Sequence, residues 1–325
     1  MADNIKVSVC IPVYGVEKYI GRCAESLFRQ TLKDGIEFIF IDDCSPDNSI
    51  GILEECLEKY SDRKNQVRII RHSRNLGLGA ARQTALEHVR GEYVICCDSD
   101  DWVDENLYES LLYEAEKNDA DMVICGYCID NPEESVPVVI PRIFDNRKLV
   151  NAMLGAEVHC GSWNKLVRKS LFDRNSISYP SGINMWEDVN VMIRIAYFTK
   201  KISYTDKSSY HYWVANSGSY TYSPNQNSLR NQTYVIGSLE EFFRFHKDYG
   251  MLESLNYLKL TAKLNGLLYA DNSLAKEYSG IYPESSKNIL RYKRLSLYWR
   301  VALIINRIFG YRIFSVMAKL ANRVR

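Results

Sequence analysis

Five aspartates stand where two strand-like runs end: Asp42-Asp43 after Glu37–Ile41, and Asp98, Asp100 and Asp101 at the end of Tyr93–Cys97. Carboxylates crowded at one sheet edge repel one another unless a cation or hydrogen-bond donors offset the charge. Hard divalent ions such as Mn2+ and Mg2+ take one or two carboxylate oxygens and let phosphate supply others. One such aspartate alone reads as well as a helix or turn cap; the set points to metal-assisted chemistry on a phosphorylated ligand.

A nucleotide beside that metal needs a surface for its base and a counter-charge for its phosphates. Pro12-Val13-Tyr14, at the end of the first strand-like run, offers backbone groups and an aromatic face. Arg82 closes Asn75-Leu76-Gly77-Leu78-Gly79-Ala80-Ala81-Arg82, whose glycines permit close backbone approach. The stretch mimics a G-x-G-x-x-G dinucleotide loop, but it follows the third run rather than the first. The first turn, Tyr14-Gly15-Val16-Glu17, has no glycine cluster, which argues against a nicotinamide dehydrogenase.

The elements that must hold these groups alternate. Val7–Val13, Glu37–Ile41, Val67–Ile70, Tyr93–Cys97 and Met122–Cys125 are near-continuously apolar, as strands covered on both faces should be. Ile20, Cys23, Ala24, Leu27 and Phe28 fall on one helical stripe. A second helix is expected to open at Ser45-Pro46 and to bury Ile50, Leu53, Leu57 and Tyr60. A third spans about Gly79 to Val89, and a fourth starts from Asp104 with Leu107, Leu111 and Ala115 inward. This alternation predicts an α/β, Rossmann-like fold with a mostly parallel sheet flanked by helices. Ligands of such sheets lie at the carboxyl ends of the strands. Residues 131–222, with prolines at 132, 137, 141 and 180, read as an irregular substrate-facing half, and 225–286 as amphipathic helices. There is no internal repeat and no low-complexity tract.

The apolar and charged fractions, 46% and 25%, exclude disordered and collagen-like classes. The N-terminus leads straight into a strand-like run without an apolar leader, and nine cysteines at irregular spacing read as reduced thiols, so a cytoplasmic location is expected. The net charge of +1 conceals ten Lys/Arg and no acid from Lys287 to Arg325, leaving 31 bases against 40 acids before it. An acidic body without a basic stripe argues against nucleic acid as a partner.

Val7-Ser8-Val9-Cys10-Ile11-Pro12-Val13-Tyr14, Asp42-Asp43-Cys44-Ser45 and the Asn75–Arg82 stretch resemble the start of family-2 glycosyltransferases with the GT-A fold. Asp98-Ser99-Asp100-Asp101-Trp102, Trp163-Asn164-Lys165-Leu166 and Trp186-Glu187-Asp188 continue the likeness in the family's order, over about residues 5–222. The resemblance implies transfer of a sugar from a nucleotide-sugar, with UDP as the expected nucleotide, to a saccharide or lipid-linked acceptor in surface polysaccharide assembly. It implies that Pro12, Val13 and Tyr14 frame the nucleobase with Glu17 nearby, and that Asp43 accepts from a uracil ring N–H. Arg82 would approach the donor. Asp98 and Asp100 match the D-x-D pair that holds Mn2+ or Mg2+, with Asp100 the direct ligand and Asp101 supporting on the donor side. Asp188 matches the general base of a single displacement that inverts the anomeric centre. Cys44 stands where glycine is usual, and Trp213 where an arginine is frequent, which leaves one donor-phosphate contact unassigned.

Two other functions share the composition. A nucleotidylyltransferase would need a glycine- and arginine-rich loop after the first strand, which is missing. A non-catalytic sugar or nucleotide binder would have lost a base or metal aspartate, and both are intact. Cys125-Gly126-Tyr127-Cys128 has no second cysteine pair or histidine cluster nearby, and on a strand its cysteines face opposite sides, so redox and zinc roles are not expected. Trp163 reads as core, with stacking on a sugar ring the alternative, and His211 either as a packed histidine or as a diphosphate or metal contact before the Ser217-Gly218-Ser219 loop. The chain divides into a catalytic domain at 1–222, a helical extension at 223–286 and basic amphipathic helices at 287–325. In the last, Leu297–Phe309 is too short to span a bilayer. Past Gly310, Arg312, Lys319 and Arg323 share one face, and Ile313, Val316, Met317, Leu320 and Val324 the opposite one. With Tyr298, Trp299 and Tyr311 this describes an interfacial helix pair, peripheral to an anionic membrane. Packing on the chain's own acidic body, or in a homo-oligomer, is the competing expectation.

Overall fold

The near-continuous apolar runs become central strands because helices cover both of their faces. A computed structural model describes residues 5–216, 218, 225–293 and 295–321. Two compact units emerge: Met1–Leu149 with Cys160–Ser219, and Val150–His159 with Tyr220–Arg325.

In the first unit β1 (Val7–Val13), α1 (Ile20–Phe28), β2 (Ile36–Asp42), α2 (Ser49–Lys59), β3 (Val67–Arg71), α3 (Leu78–Glu87) and β4 (Tyr93–Cys96) form the expected alternation. Then come β5 (Trp102–Val103), α4 (Leu107–Asn118), β6 (Met122–Asp130), β7 (Ser135–Val138) and α5 (Asn146–Leu154), the last crossing into the second unit. β8 (Lys165–Arg168), α6 (Lys169–Arg174), α7 (Glu187–Phe198) and β9 (Ile202–Trp213) complete it. The sheet order is β3-β2-β1-β4-β8-β6-β9-β5, with β7 on β6. β3, β2, β1 and β4 run parallel, whereas β8 enters antiparallel to both β4 and β6.

The stripe Ile20, Cys23, Ala24, Leu27 and Phe28 is buried as the periodicity requires, and Phe28 meets Phe38 and Phe40 edge-on at 5.9 and 6.2 Å. Two expectations need correction. The second helix begins at Ser49, not at Ser45-Pro46. Cys44 adopts φ +59°, Asp42 Oδ1 holds the Ser45 amide at 2.8 Å, and Asp47 Oδ1 accepts from the Ser49 amide, so a turn is completed first. Residues 131–222 are less irregular than expected, because β9 runs twelve residues parallel to β6. Its sequence, Ile-Ser-Tyr-Thr-Asp-Lys-Ser-Ser-Tyr-His-Tyr-Trp, is polar enough to hide a strand.

The second unit contains α8 (Gln226–Phe245), α9 (Tyr249–Ser254), α10 (Asn256–Tyr269), α11 (Asn272–Gly280), α12 (Leu297–Phe309) and α13 (Tyr311–Ala321). Asn225 and Ser228 close a reciprocal capping box at the start of α8. Gly266 lets Tyr278 cross α10, since a Cβ there would lie 1.9 Å from the ring. Leu260, Leu264 and Leu267 of α10 bury Ala302 and Leu303 of α12 and Phe314 of α13 in one core. The tail therefore shares a core with the helical extension. α13 turns Phe314 inward and leaves Ile313 and Val316 exposed, so the face expected from sequence is only partly realised. Arg323 and Val324 lie outside the described residues, as do the side chains of Lys319 and Leu320.

Candidate active site

The parallel register places the chemistry at one edge. Val13 pairs with Asp42 and Cys10 with Cys96, so Tyr14, Asp43 and Asp98 follow the carboxyl ends of three neighbouring strands. Pro12 and Val13 are buried within β1, and the Val13 carbonyl accepts from the Asp43 amide at 3.0 Å. Tyr14, at 47% exposure, presents an open ring beside them. Glu17 is exposed and its Oε2 accepts from the Asn48 amide at 3.2 Å.

Asp43 is buried and heavily used. Oδ1 accepts from the Leu76 amide at 2.8 Å and sits 2.7 Å from His72 Nδ1, while Oδ2 accepts from the Gly77 amide at 2.7 Å. The carboxylate thus fixes the turn into α3, where Gly77 takes φ +91° and a Cβ would strike Asn184. That turn aims Arg82 along α3 toward the acidic loop.

Arg82 is almost wholly buried between two carboxylates. Nη2 donates to Asp98 Oδ1 at 2.6 Å, and Nη1 donates to Glu187 Oε1. Burial alone would lower its proton affinity, but Asp98 and Glu187 hold the guanidinium well above its ordinary range. Glu187 is pushed up to about 8 by burial, with Arg82 opposing and Asp188 adding to the rise.

The three aspartates of the loop after β4 have different surroundings. Asp101 is fully buried, and its oxygens accept from the Tyr210 hydroxyl at 2.6 Å and the Trp213 amide at 2.7 Å. Tyr210 in turn accepts from the Asp98 amide at 3.0 Å. Asp101 therefore braces the loop against β9, with both oxygens already engaged by the protein. Asp98 faces Arg82. Asp100 is half-buried, with Asn216 Nδ2 donating to Oδ2 at 2.8 Å. Burial and the Asp98 charge both raise its proton affinity, and burial, Asp100 and Asp98 do the same to Asp101.

Asp100 and Asp101 keep a raised proton affinity even with Arg82 against Asp98, and a divalent cation would offset their charge. Among the described residues no three His, Cys, Asp or Glu side chains converge as a ligand set. Asp100, less enclosed than Asp101, could hold such an ion with phosphate oxygens completing its coordination.

Arg22 was not singled out by the sequence reading. It lies on α1, on the side opposite the buried stripe, so periodicity gives it to solvent. Instead its guanidinium lies over Trp102 at 3.6 Å and Trp213 at 4.7 Å, and Nη2 donates to the Asp100 carbonyl at 3.0 Å. It places a cation at the loop beside Trp213, where an arginine had been missed.

Asp188 sits in the first turn of α7, part-exposed, where the helix dipole favours negative charge. Its Oδ1 accepts from the Val189 amide at 2.7 Å. Below it lies Lys165, 1% exposed, donating to the Gly161 carbonyl at 2.9 Å and Asn164 Oδ1 at 2.6 Å. Burial pushes Lys165 down to about 8, and the charge of Asp188 acts against that fall. Trp163 is core, stacked on Tyr210 at 4.5 Å and Tyr212 at 5.6 Å. His211 stacks on Trp102 at 4.9 Å, with Nδ1 at 3.1 Å from Asp130 and Nε2 at 3.2 Å from Asp104, so both nitrogens face carboxylates. Ser217 and Ser219 lie outside the described residues. All nine cysteines are free, Cys125 and Cys128 included.

A parallel sheet that gathers Tyr14, Asp43 and a D-x-D loop at its carboxyl edge, with a carboxylate-bearing helix beside it, is a GT-A arrangement. The profile of "Glycosyl transferase family 2" matches residues 8–175, and the chain belongs to that family. EpsH of Bacillus subtilis (strain 168) is 34% identical over 215 residues, covering 64% of this chain and 60% of EpsH. The poly(ribitol-phosphate) beta-N-acetylglucosaminyltransferase TarP of Staphylococcus aureus (strain N315) is 30% identical, covering 64% of this chain and 62% of TarP. The chain thus matches about three-fifths of the length of these curated relatives. The crystal structure of S. aureus TarS 1–349 in complex with UDP-GlcNAc superposes with a TM-score of 0.71, covering 99% of this chain and 93% of that one at 19% identity. At that identity the likeness carries the fold.

Proposed function

We propose that this chain is an inverting glycosyltransferase. It moves a hexosyl or N-acetylhexosaminyl group from a UDP-sugar to a hydroxyl of a saccharide or lipid-linked acceptor in surface polysaccharide biosynthesis. The observation that carries the reading is the chain Asp98–Arg82–Glu187, which ties the D-x-D loop to the helix turn bearing Asp188. The name of TarP supports an N-acetylhexosaminyl group, and the UDP-GlcNAc bound to TarS supports a UDP-sugar donor.

An acceptor hydroxyl is a poor nucleophile, so a carboxylate must take its proton as the bond forms. Asp188 performs this: it is reachable from solvent, unlike its neighbour Glu187, which is buried against Arg82. Tyr14 faces the base, with Pro12, Val13 and Glu17 around it, while Asp43 and His72 hold the α3 turn. Asp100, with Asp98 beside it, would hold Mn2+ or Mg2+, which when bound offsets charge on the departing diphosphate as a Lewis acid. Arg22 adds a fixed positive charge at the same loop. One base and one direction of attack give inversion at the anomeric carbon.

The test is Asp188→Asn, assayed with UDP-sugars and Mn2+ on a bacterial lipid and saccharide extract. Turnover should fall by about 10²–10⁴ while calorimetric donor affinity stays within a few-fold. Loss of donor binding together with turnover would make Asp188 a donor ligand. A product of retained configuration would exclude the single displacement. Binding of UDP-sugar by the wild type without any transfer would leave a binding protein.

A further inference from the structure

α12 has an apolar side that the protein leaves bare. Ala302, Leu303 and Asn306 turn into the core, with Ile304 partly packed against it, and at 100° per residue the opposite side carries Leu297, Val301 and Ile308. Leu297, Ile308 and the adjacent Phe309 are 62%, 64% and 61% exposed. Ile313 and Val316 of α13 are exposed as well, at 46% and 57%. An apolar surface of this extent on a chain otherwise rich in surface charge marks a contact site.

The charge around it selects the occupant. From Lys287 onward the sequence has ten Lys/Arg and no acid, and Lys287, Lys293, Arg307 and Arg312 are exposed. A second copy meeting this face across a two-fold axis would set positive charge against positive charge. An anionic lipid surface complements both the apolar stripe and its basic surroundings. Orientation follows from length: the 13 residues of α12 reach about 20 Å, short of a hydrocarbon core of about 30 Å. No described helix is long and apolar enough to cross a membrane.

We infer that α12 and α13 form an in-plane docking face for an anionic bilayer, with Leu297, Val301, Ile308 and Phe309 entering the acyl boundary. This deepens the proposed function by placing the enzyme where lipid-linked acceptors lie. The experiment reads binding alone, so its failure and that of the transfer reaction are told apart.

Full-length protein is floated with phosphatidylcholine vesicles and with vesicles containing phosphatidylglycerol, at low and high salt. The wild type should float with the anionic vesicles and much less with the neutral ones, more weakly as salt rises. Ile308→Ser with Phe309→Ser, both solvent-facing, should weaken partition about tenfold or more with an unchanged circular-dichroism melt. Lys293→Glu with Arg312→Glu should weaken it mainly at low salt. Failure of the wild type to bind anionic vesicles overturns the proposal, as does undiminished binding by the serine pair. A wild-type dimer that the serine pair converts to monomer would assign the face to a second copy and overturn it equally.

Discussion

Arg82 and Asp98 are joined by a 2.6 Å ion pair at the mouth of the sheet, and the same guanidinium holds Glu187 on its other side. One cation therefore fixes the positions of the D-x-D loop and of the first turn of α7. Replacing it leaves the Asp98 carboxylate and the buried Glu187 without their shared partner, and breaking a buried pair in general costs about 3–5 kcal/mol. Asp98 is part-exposed, so the lower end applies. Arg82→Met should lower stability by about 3 kcal/mol in urea titration and weaken donor binding together with turnover. A variant as stable as wild type would mean that Asp98 and Glu187 find other partners.

The pH dependence follows from Glu187. Burial raises it from an ordinary 4.5 to about 8. Between those values the folded chain keeps a proton that the unfolded chain releases, so this group's contribution to stability falls as pH rises through that window. Glu187→Gln keeps the acceptor for Arg82 and removes the titration. Its melting temperature should vary less between pH 5 and about 8 than that of the wild type, and should exceed it at the alkaline end. Parallel melting curves would place the Glu187 proton elsewhere.

Asp100 offers a sharper test of the cation. Asp100→Asn preserves the shape and leaves an oxygen for the Asn216 contact while removing one of the loop's three carboxylates. With that carboxylate gone, calorimetry of a UDP-sugar in Mn2+ should show the metal-dependent part of donor affinity lost, and a chelator should reproduce that in the wild type. Metal-independent donor binding of undiminished strength in both would remove the ion from the site.

The sequence made the parallel half of the sheet legible because its strands are apolar throughout and its aspartates directly follow them. Val7–Val13 and the α1 stripe fall where periodicity puts them. β9 was hidden because Asp206 and Lys207 fall at the register shift between the Cys125–Thr205 and Gly126–Ser209 pairs, and its aromatic run is concentrated at Tyr210–Trp213. The aspartates were found by type, but their division of labour was not, since it depends on distant partners. Asp101 meets Tyr210 and Trp213 over a hundred residues away, and Asp98 meets Arg82. Arg22 was missed because an arginine opposite a helix's buried stripe reads as solvated, and only the sheet edge brings Trp102 and Trp213 beneath it.

Lys165 gives the last test. A buried ammonium is costly unless oxygens and a negative charge surround it. Gly161 and Asn164 supply the oxygens, and Asp188 is the acid whose charge reaches it; the other titratable groups facing it are the thiols of Cys160 and Cys125, both driven upward by burial. Lys165 remains cationic below about pH 8. Lys165→Met removes that titration while filling the same space with an unbranched apolar side chain. Stability gives the sign. The folded chain releases the Lys165 proton above about 8, whereas the unfolded chain keeps it to about 10.5, so the wild type should gain stability relative to Lys165→Met across that interval. Parallel pH–stability curves for the two proteins would mean that Lys165 keeps its proton in the fold across that interval.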